Sequence, residues 1–312
     1  MKRGIVRGIV FSVFGIGCLV STGVCYAGIE TLIVPYTAIE DVVYGQKEGM
    51  GLTLDVLQPE QNRNGQGIVL ISSGSWKSSK SNVPEEVTEF RRDHWAMGLL
   101  HGGFTVFVVR HGSGPRFRVP EMIEDIRRSV RFVRMKASDY AIDPNRIGIT
   151  SGSSGGHLAL MVGLTGDDGD PDAKDPVARV SSRVQAIVAW FPPTDLINWG
   201  KAGGYKTIET ARPGFFEQIF GTVSDLPKQL ESISPIYHVT PDDPPLLLIH
   251  GDADLTVPLQ QSEILKAKYE EVGLPVKLIV QPGGAHTYWD GIEAHYGDVA
   301  KWFETLGSIQ EK

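Results

Sequence analysis

The chain has 312 residues, 41% of them hydrophobic and 21% charged, with a formal net charge of −7. That length and balance suit one globular domain with a large core and exclude a disordered or fibrous protein. The acidic balance argues against nucleic acid or an anionic membrane surface as a partner.

Residues 1–27 stand apart. Lys2, Arg3 and Arg7 make a positive start, GIVFSVFGIGCLV is an uncharged apolar run, and VCYA closes on small residues before Gly28. This is the layout of a secretory signal peptide cleaved after Ala27, giving an exported product, periplasmic or secreted, with no membrane contact after cleavage. An uncleaved anchor is the alternative, because the apolar stretch from Gly8 to Ala27 is nearly long enough to span a bilayer. Cleavage would remove both cysteines, Cys18 and Cys25, and with them disulfide and thiolate chemistry. It would also take the formal net charge from −7 to −10, since three basic residues and no acids leave.

Residues 28–312 alternate strand-like and helix-like segments, which predicts an α/β domain with a mostly parallel central sheet and helices on both faces. LTLDVL (52–57) alternates as a strand does, GIVLIS (67–72) is a short apolar strand, and FTVFVV (104–109) follows a helix-like stretch over 85–100. The next helix, 120–137, puts Met122, Ile123, Ile126, Val130 and Val133 on one stripe, with Arg127, Arg128, Arg131 and Arg134 expected on a solvated face. RIGIT (146–150), VQAIVAWF (184–191), PLLLIHG (245–251) and VKLIVQ (276–281) are continuous apolar runs of the kind buried on both faces of a parallel sheet. The stretch 198–239 breaks this rhythm and reads as a small cap-like insertion over the carboxyl ends of the strands. Asp168, Asp170 and Asp172 have calcium-loop spacing, but Ala173 and Arg179 stand where that loop needs glycine and glutamate, so no metal or cofactor is implied.

The chemistry concentrates in GITSGSSGGHLAL (148–160), where a strand runs through serines and glycines into a helix. This is the context of the G-x-S-x-G nucleophile elbow, whose flanking positions must be small so that strand and helix can approach. Gly152 and Gly156 frame Ser154, whereas centring on Ser153 would require glycine at position 151, so Ser154 is the expected nucleophile. A glycine-rich turn without chemistry, or one that cradles phosphate, is the alternative, although no Walker lysine follows. A serine hydroxyl needs a base and an orienting acid. His286, in QPGGAH after the last strand, is the expected base, and Asp254, in HGDADLTVP, the expected acid, giving the chain order Ser, Asp, His. Asp252 is expected to shape the turn, Asp195 is the competing acid, and His157 and His250 read as core histidines.

With SGSSGGHLAL, IDPNRIGI, PEMIEDIRRSVRFVR, HGDADLTVPLQQSE and GGAH in hand, the sequence resembles the α/β-hydrolase superfamily. It is most similar to the exported carboxylesterase and feruloyl/acetyl esterase (BD-FAE-like) branch, from LTLDVLQP to the final helix. The resemblance implies an α/β-hydrolase fold and hydrolysis of carboxylic esters, with acetyl or feruloyl esters of plant-type carbohydrates as substrates. It also implies an oxyanion hole from backbone N–H groups, here Gly74, Ser75 and Gly155. One departure stands out: Ser72-Ser73-Gly74-Ser75-Trp76 replaces the usual histidine-glycine-glycine-glycine stretch, and serine tolerates positive φ less well than glycine. Trp76 and Trp289 flank the expected site as candidate substrate contacts. The alternatives are a prolyl-oligopeptidase-like serine peptidase, for which 28–72 is too short to hold the usual propeller, and an idle hydrolase fold that binds a glycan or protein partner. Oligomeric state is not legible.

Overall fold

The computed structural model describes residues 6–8, 34–78, 95–211, 213–220, 225–286, 289 and 291–309. Its strands are β1 (Val6–Gly8), β2 (Tyr36–Lys47), β3 (Met50–Pro59), β4 (Gly67–Ile71), β5 (Thr105–Val109), β6 (Ile147–Gly152), β7 (Ala186–Trp190), β8 (Leu246–Gly251) and β9 (Val276–Gln281). They form one sheet in the order β1-β2-β3-β5-β4-β6-β7-β8-β9. The pairings from β1 through β3 to β5 are antiparallel, and those from β5 to β9 are parallel. Between and around the strands lie α1 (described over 95–101), α2 (Val119–Met135), α3 (Ser153–Leu164), α4 (Tyr205–Ala211), α5 (Phe215–Phe220), α6 (Leu226–Ser232), α7 (Gln260–Glu271) and α8 (Tyr296–Ile309).

Alternation along β4 sorts the core into two layers. Val69 and Ile71 join Met122 and Ile126 of α2 and Leu158 and Val162 of α3, whereas Ile68 and Leu70 join Leu99 and Leu100 of α1 and Val299 and Phe303 of α8. Each such side chain, fully buried, contributes roughly 1.5–3 kcal/mol of transfer free energy, which is why both faces must be covered by helices. The arrangement is the α/β-hydrolase fold implied by the sequence.

The topology also places the site. The chain crosses from β4 to β5 on one side and then to β6 on the other, so the loops leaving β4 and β6 open side by side at the carboxyl edge of the sheet. A topological switch of this kind is where open α/β sheets bind ligands.

Two sequence expectations change. β2 is a strand that the sequence does not announce, because its alternation is broken by register shifts at Ile39/Val42 and Val43/Gly45 and by Asp41 at φ 54°. The arginines of α2 do not lie on a solvated face. Arg127 and Arg131 reach Asp167, Arg128 reaches Asp175, and Arg134 donates to the carbonyls of Pro144, Ser181 and Arg183, tying the 165–183 loop to the helix. The leader expected over 1–27 lies outside the described residues except for β1, and cleavage after Ala27 would remove that strand from Tyr36–Ala38 of β2. The 198–239 stretch carries α4, α5, α6 and a 3-10 turn at Pro235–His238, with no strand among its described residues.

Candidate active site

β6 passes into α3 without a loop, and the first helical residue, Ser153, takes φ 51°. A left-handed conformation at a non-glycine residue costs on the order of 1–3 kcal/mol and persists only where its surroundings impose it. They do so here. A Cβ on Gly152 would lie 2.3 Å from the Trp95 ring and 2.9 Å from that of Phe191, and one on Gly155 would lie 2.2 Å from Ser151 Oγ.

That elbow presents Ser153, and the expectation of Ser154 is corrected. Ser153 Oγ lies 3.0 Å from His286 Nε2, and His286 Nδ1 lies 2.7 Å from Asp254 Oδ2. Ser154 is 2% exposed, its Oγ lying 3.2 Å from Ser73 Oγ and accepting from the Gly74 amide at 3.3 Å. The small residues two before and two after the elbow serine are therefore Ser151 and Gly155. Ser151 fits where glycine was demanded because its hydroxyl donates to the Ile71 carbonyl at 2.7 Å, and the missing side chain of Gly155 leaves room for it. A frame that requires glycine at the earlier position therefore falls one residue past the elbow serine. Gly155→Ala should accordingly lower stability by about 1–3 kcal/mol, with more than half recovered in Ser151→Gly/Gly155→Ala, as measured by urea unfolding.

The acid and the base come from adjacent loops. After β8, Asp254 Oδ1 accepts from the amides of Thr256 and Val257 at 2.8 and 2.9 Å. The His286 loop is fastened to this turn by Gly283 N donating to Asp252 Oδ1 at 2.6 Å and Ala253 N donating to the Gly284 carbonyl at 2.9 Å. Asp252 thus shapes the turn, as expected. Burial alone would raise the Asp254 carboxyl, but hydrogen bonds from His250, His286 and the Val257 amide outweigh it and hold the group well below the usual carboxylate range. A carboxylate there keeps the hydrogen of His286 on Nδ1 and leaves Nε2 as the acceptor facing Ser153. His250 is fully buried, its Nδ1 on Ser262 Oγ at 2.7 Å and its Nε2 on the Val257 carbonyl at 2.9 Å and 3.4 Å from Asp254 Oδ2. Asp195, the competing acid, accepts instead from the amides of Ile197 and Asn198 and from Asn198 Nδ2.

The remaining site expectations also move. Gly155 N donates to Ser73 Oγ at 3.3 Å, so the amide that follows the elbow serine is that of Ser154. Gly74 and Ser75 stand at the lip of the site, exposed, with φ of 155° and 55°. Trp76 is 5% exposed and donates through Nε1 to His157 Nδ1 at 3.2 Å, so it anchors the loop from beneath and offers no face to a substrate. Trp289, 7% exposed, packs edge-on against Phe191 at 6.0 Å, one ring removed from His286. The aromatic that meets the imidazole is Phe191, edge-on at 4.9 Å and itself at φ 37°. Nothing in the run AIVAWF marks it; only the positive φ at the end of β7 does.

Comparison with known proteins places the chain among esterases of this fold. The BD-FAE family model matches residues 54–269. Esterase LipQ of Mycobacterium tuberculosis is 28% identical over 62% of this chain and 44% of its own length. The chain spans a little under half the length of such curated relatives. Among solved structures, a truncated carbohydrate esterase from gut microbiota superposes with TM-score 0.69 at 28% identity, covering 87% of this chain and 96% of that one. An acetyl ester-xyloside bifunctional hydrolase from Caldicellulosiruptor lactoaceticus gives 0.70 at 26% identity, covering 86% and 96%.

Proposed function

Since this chain belongs to the BD-FAE family, we propose that it hydrolyses carboxylic esters by acyl transfer through Ser153, His286 and Asp254. The observation that carries the reading is the continuous run from Ser153 Oγ through both nitrogens of His286 to Asp254 Oδ2, at 3.0 and 2.7 Å. Ser153 Oγ attacks the ester carbonyl while His286 Nε2 takes its proton, and Asp254 stabilises the imidazolium. The carbonyl oxygen becomes an oxyanion, received by the Ser154 N–H and by the amide of Ser75; the Gly74 amide, expected as a third donor, is committed to Ser154 Oγ. His286 then protonates the departing alcohol, and a water molecule, deprotonated by the same nitrogen, attacks the acyl-enzyme and releases the acid.

For substrates, we propose acetyl and feruloyl esters of plant-type carbohydrates. The named activities of the carbohydrate esterase and of the acetyl ester-xyloside hydrolase support this class. Purified protein should release acetate or ferulate from acetylated and feruloylated xylan fragments, with little turnover of long-chain esters. Turnover confined to long acyl chains would refute the carbohydrate-ester reading. Export through the 1–27 leader belongs to the same proposal, and the amino-terminal sequence of the exported protein should then begin at Gly28.

A further inference from the structure

The loop after β4 holds two non-glycine residues in left-handed backbone, Ser75 at φ 55° and Trp76 at φ 58°. For L-residues this costs about 1–2 kcal/mol each, so something outside the loop must hold it. The hold is on Trp76. Its carbonyl accepts from the Gly114 amide at 3.0 Å, its ring meets His157 and Phe220 edge-on at 5.4 and 5.7 Å, and Nε1 donates to His157 Nδ1.

His157 is fully buried on α3, one helical turn beyond Ser153, and its Nε2 donates to the Ile233 carbonyl at 2.7 Å. One ring nitrogen accepts and the other donates, so the imidazole works here only when neutral. Burial lowers its pKa to about 4, despite the Ile233 carbonyl, and nearby His238 lowers it further. Ile233 closes α6 and Phe220 closes α5, both within the 198–239 stretch.

We infer that His157 and Trp76 are a positioning pair: through them α3, which carries Ser153, sets the height of the 72–76 backbone over the nucleophile and ties that backbone to the 198–239 stretch. The inference rests on the reading of Ser153 as nucleophile and of the 72–76 amides as oxyanion donors. Glycine-rich loops reach that conformation unaided; this loop is braced from below. Neither side chain meets substrate, so the pair acts through donor placement, which matters in the transition state more than in substrate binding.

The test uses the full chain, nitrophenyl acetate, and active sites counted with a fluorophosphonate. Trp76→Phe keeps an aromatic ring but loses the N–H and part of the indole's bulk, and His157→Leu removes both hydrogen bonds. Each should lower kcat per active site about tenfold with KM within about twofold. Each should also weaken inhibition by phenylboronic acid, whose tetrahedral serine adduct uses the same donors, by a similar factor. His157→Gln, which offers an acceptor and a donor one carbon apart as the neutral ring does, should recover most of the loss. An unchanged kcat in Trp76→Phe, or a loss confined to KM, overturns the inference. The underlying reading fails separately, if Ser153→Ala still turns over ester at the wild-type rate.

Discussion

Ser153→Ala is expected to lower kcat/KM for a short nitrophenyl ester by about 10⁴-fold or more, whereas Ser154→Ala should stay within about tenfold of wild type. The contrast follows from direction, since the two hydroxyls belong to neighbouring residues. Ser153 begins α3 with φ 51° and puts Oγ on His286 Nε2, whereas Ser154 turns inward onto Ser73 and Gly74. Alanine at 153 removes the Oγ proposed to bond to the acyl group. Alanine at 154 keeps the backbone N–H proposed to receive the oxyanion and loses a hydroxyl hydrogen-bonded to Ser73 and Gly74 of the 72–76 loop. Fluorophosphonate labelling gives a second readout: it should vanish in Ser153→Ala and persist in Ser154→Ala. The reverse pattern would return the nucleophile to Ser154 and require a rearranged elbow.

Much of the architecture is legible in the sequence because buried parallel strands leave a plain record. GIVLIS, RIGIT and PLLLIHG are continuous apolar runs, and each appears within a residue or two of its expected bounds as β4, β6 or β8; VKLIVQ appears as β9, but as an edge strand whose residues are half-buried or exposed where burial on both faces was expected. Asp254 and His286 are legible for a related reason: each sits in the turn that follows such a strand. What escapes the sequence depends on packing between segments distant in the chain. Ser151 can replace glycine only because Gly155 faces it and the Ile71 carbonyl accepts its proton, and neither fact has a linear signature. The same holds for Trp76, whose partner His157 lies 81 residues away, and for the α2 arginines, whose carboxylates lie in the loop over 165–183. A tryptophan near a serine suggests a platform for substrate until its N–H is seen to be committed elsewhere.

Asp254→Asn should lower kcat by about 10⁴-fold with little change in KM or in folding, although it exchanges one atom for another of nearly equal size. Oδ1 accepts from two backbone amides, Thr256 and Val257, which cannot rotate away. An asparagine must therefore keep its oxygen there and turn its NH₂ toward His286. Nδ1 of His286, which now donates to Oδ2, would become an acceptor, the ring hydrogen would move to Nε2, and that nitrogen would donate to Ser153 Oγ instead of taking its proton. His250 closes the other escape: its Nε2, engaged with the Val257 carbonyl, also carries a hydrogen, so the NH₂ meets a second donor at the Oδ2 position. The loss should therefore appear equally in the rate of fluorophosphonate labelling, which needs the same proton transfer, and should add nothing further in a Ser153→Ala background. Retention of more than about a tenth of wild-type kcat would mean that another carboxylate orients the base. Asp195 is the competing acid that the sequence offers, and its oxygens are committed to Ile197, Asn198 and Tyr237. It could serve His286 only by breaking the turn that opens the 198–239 stretch.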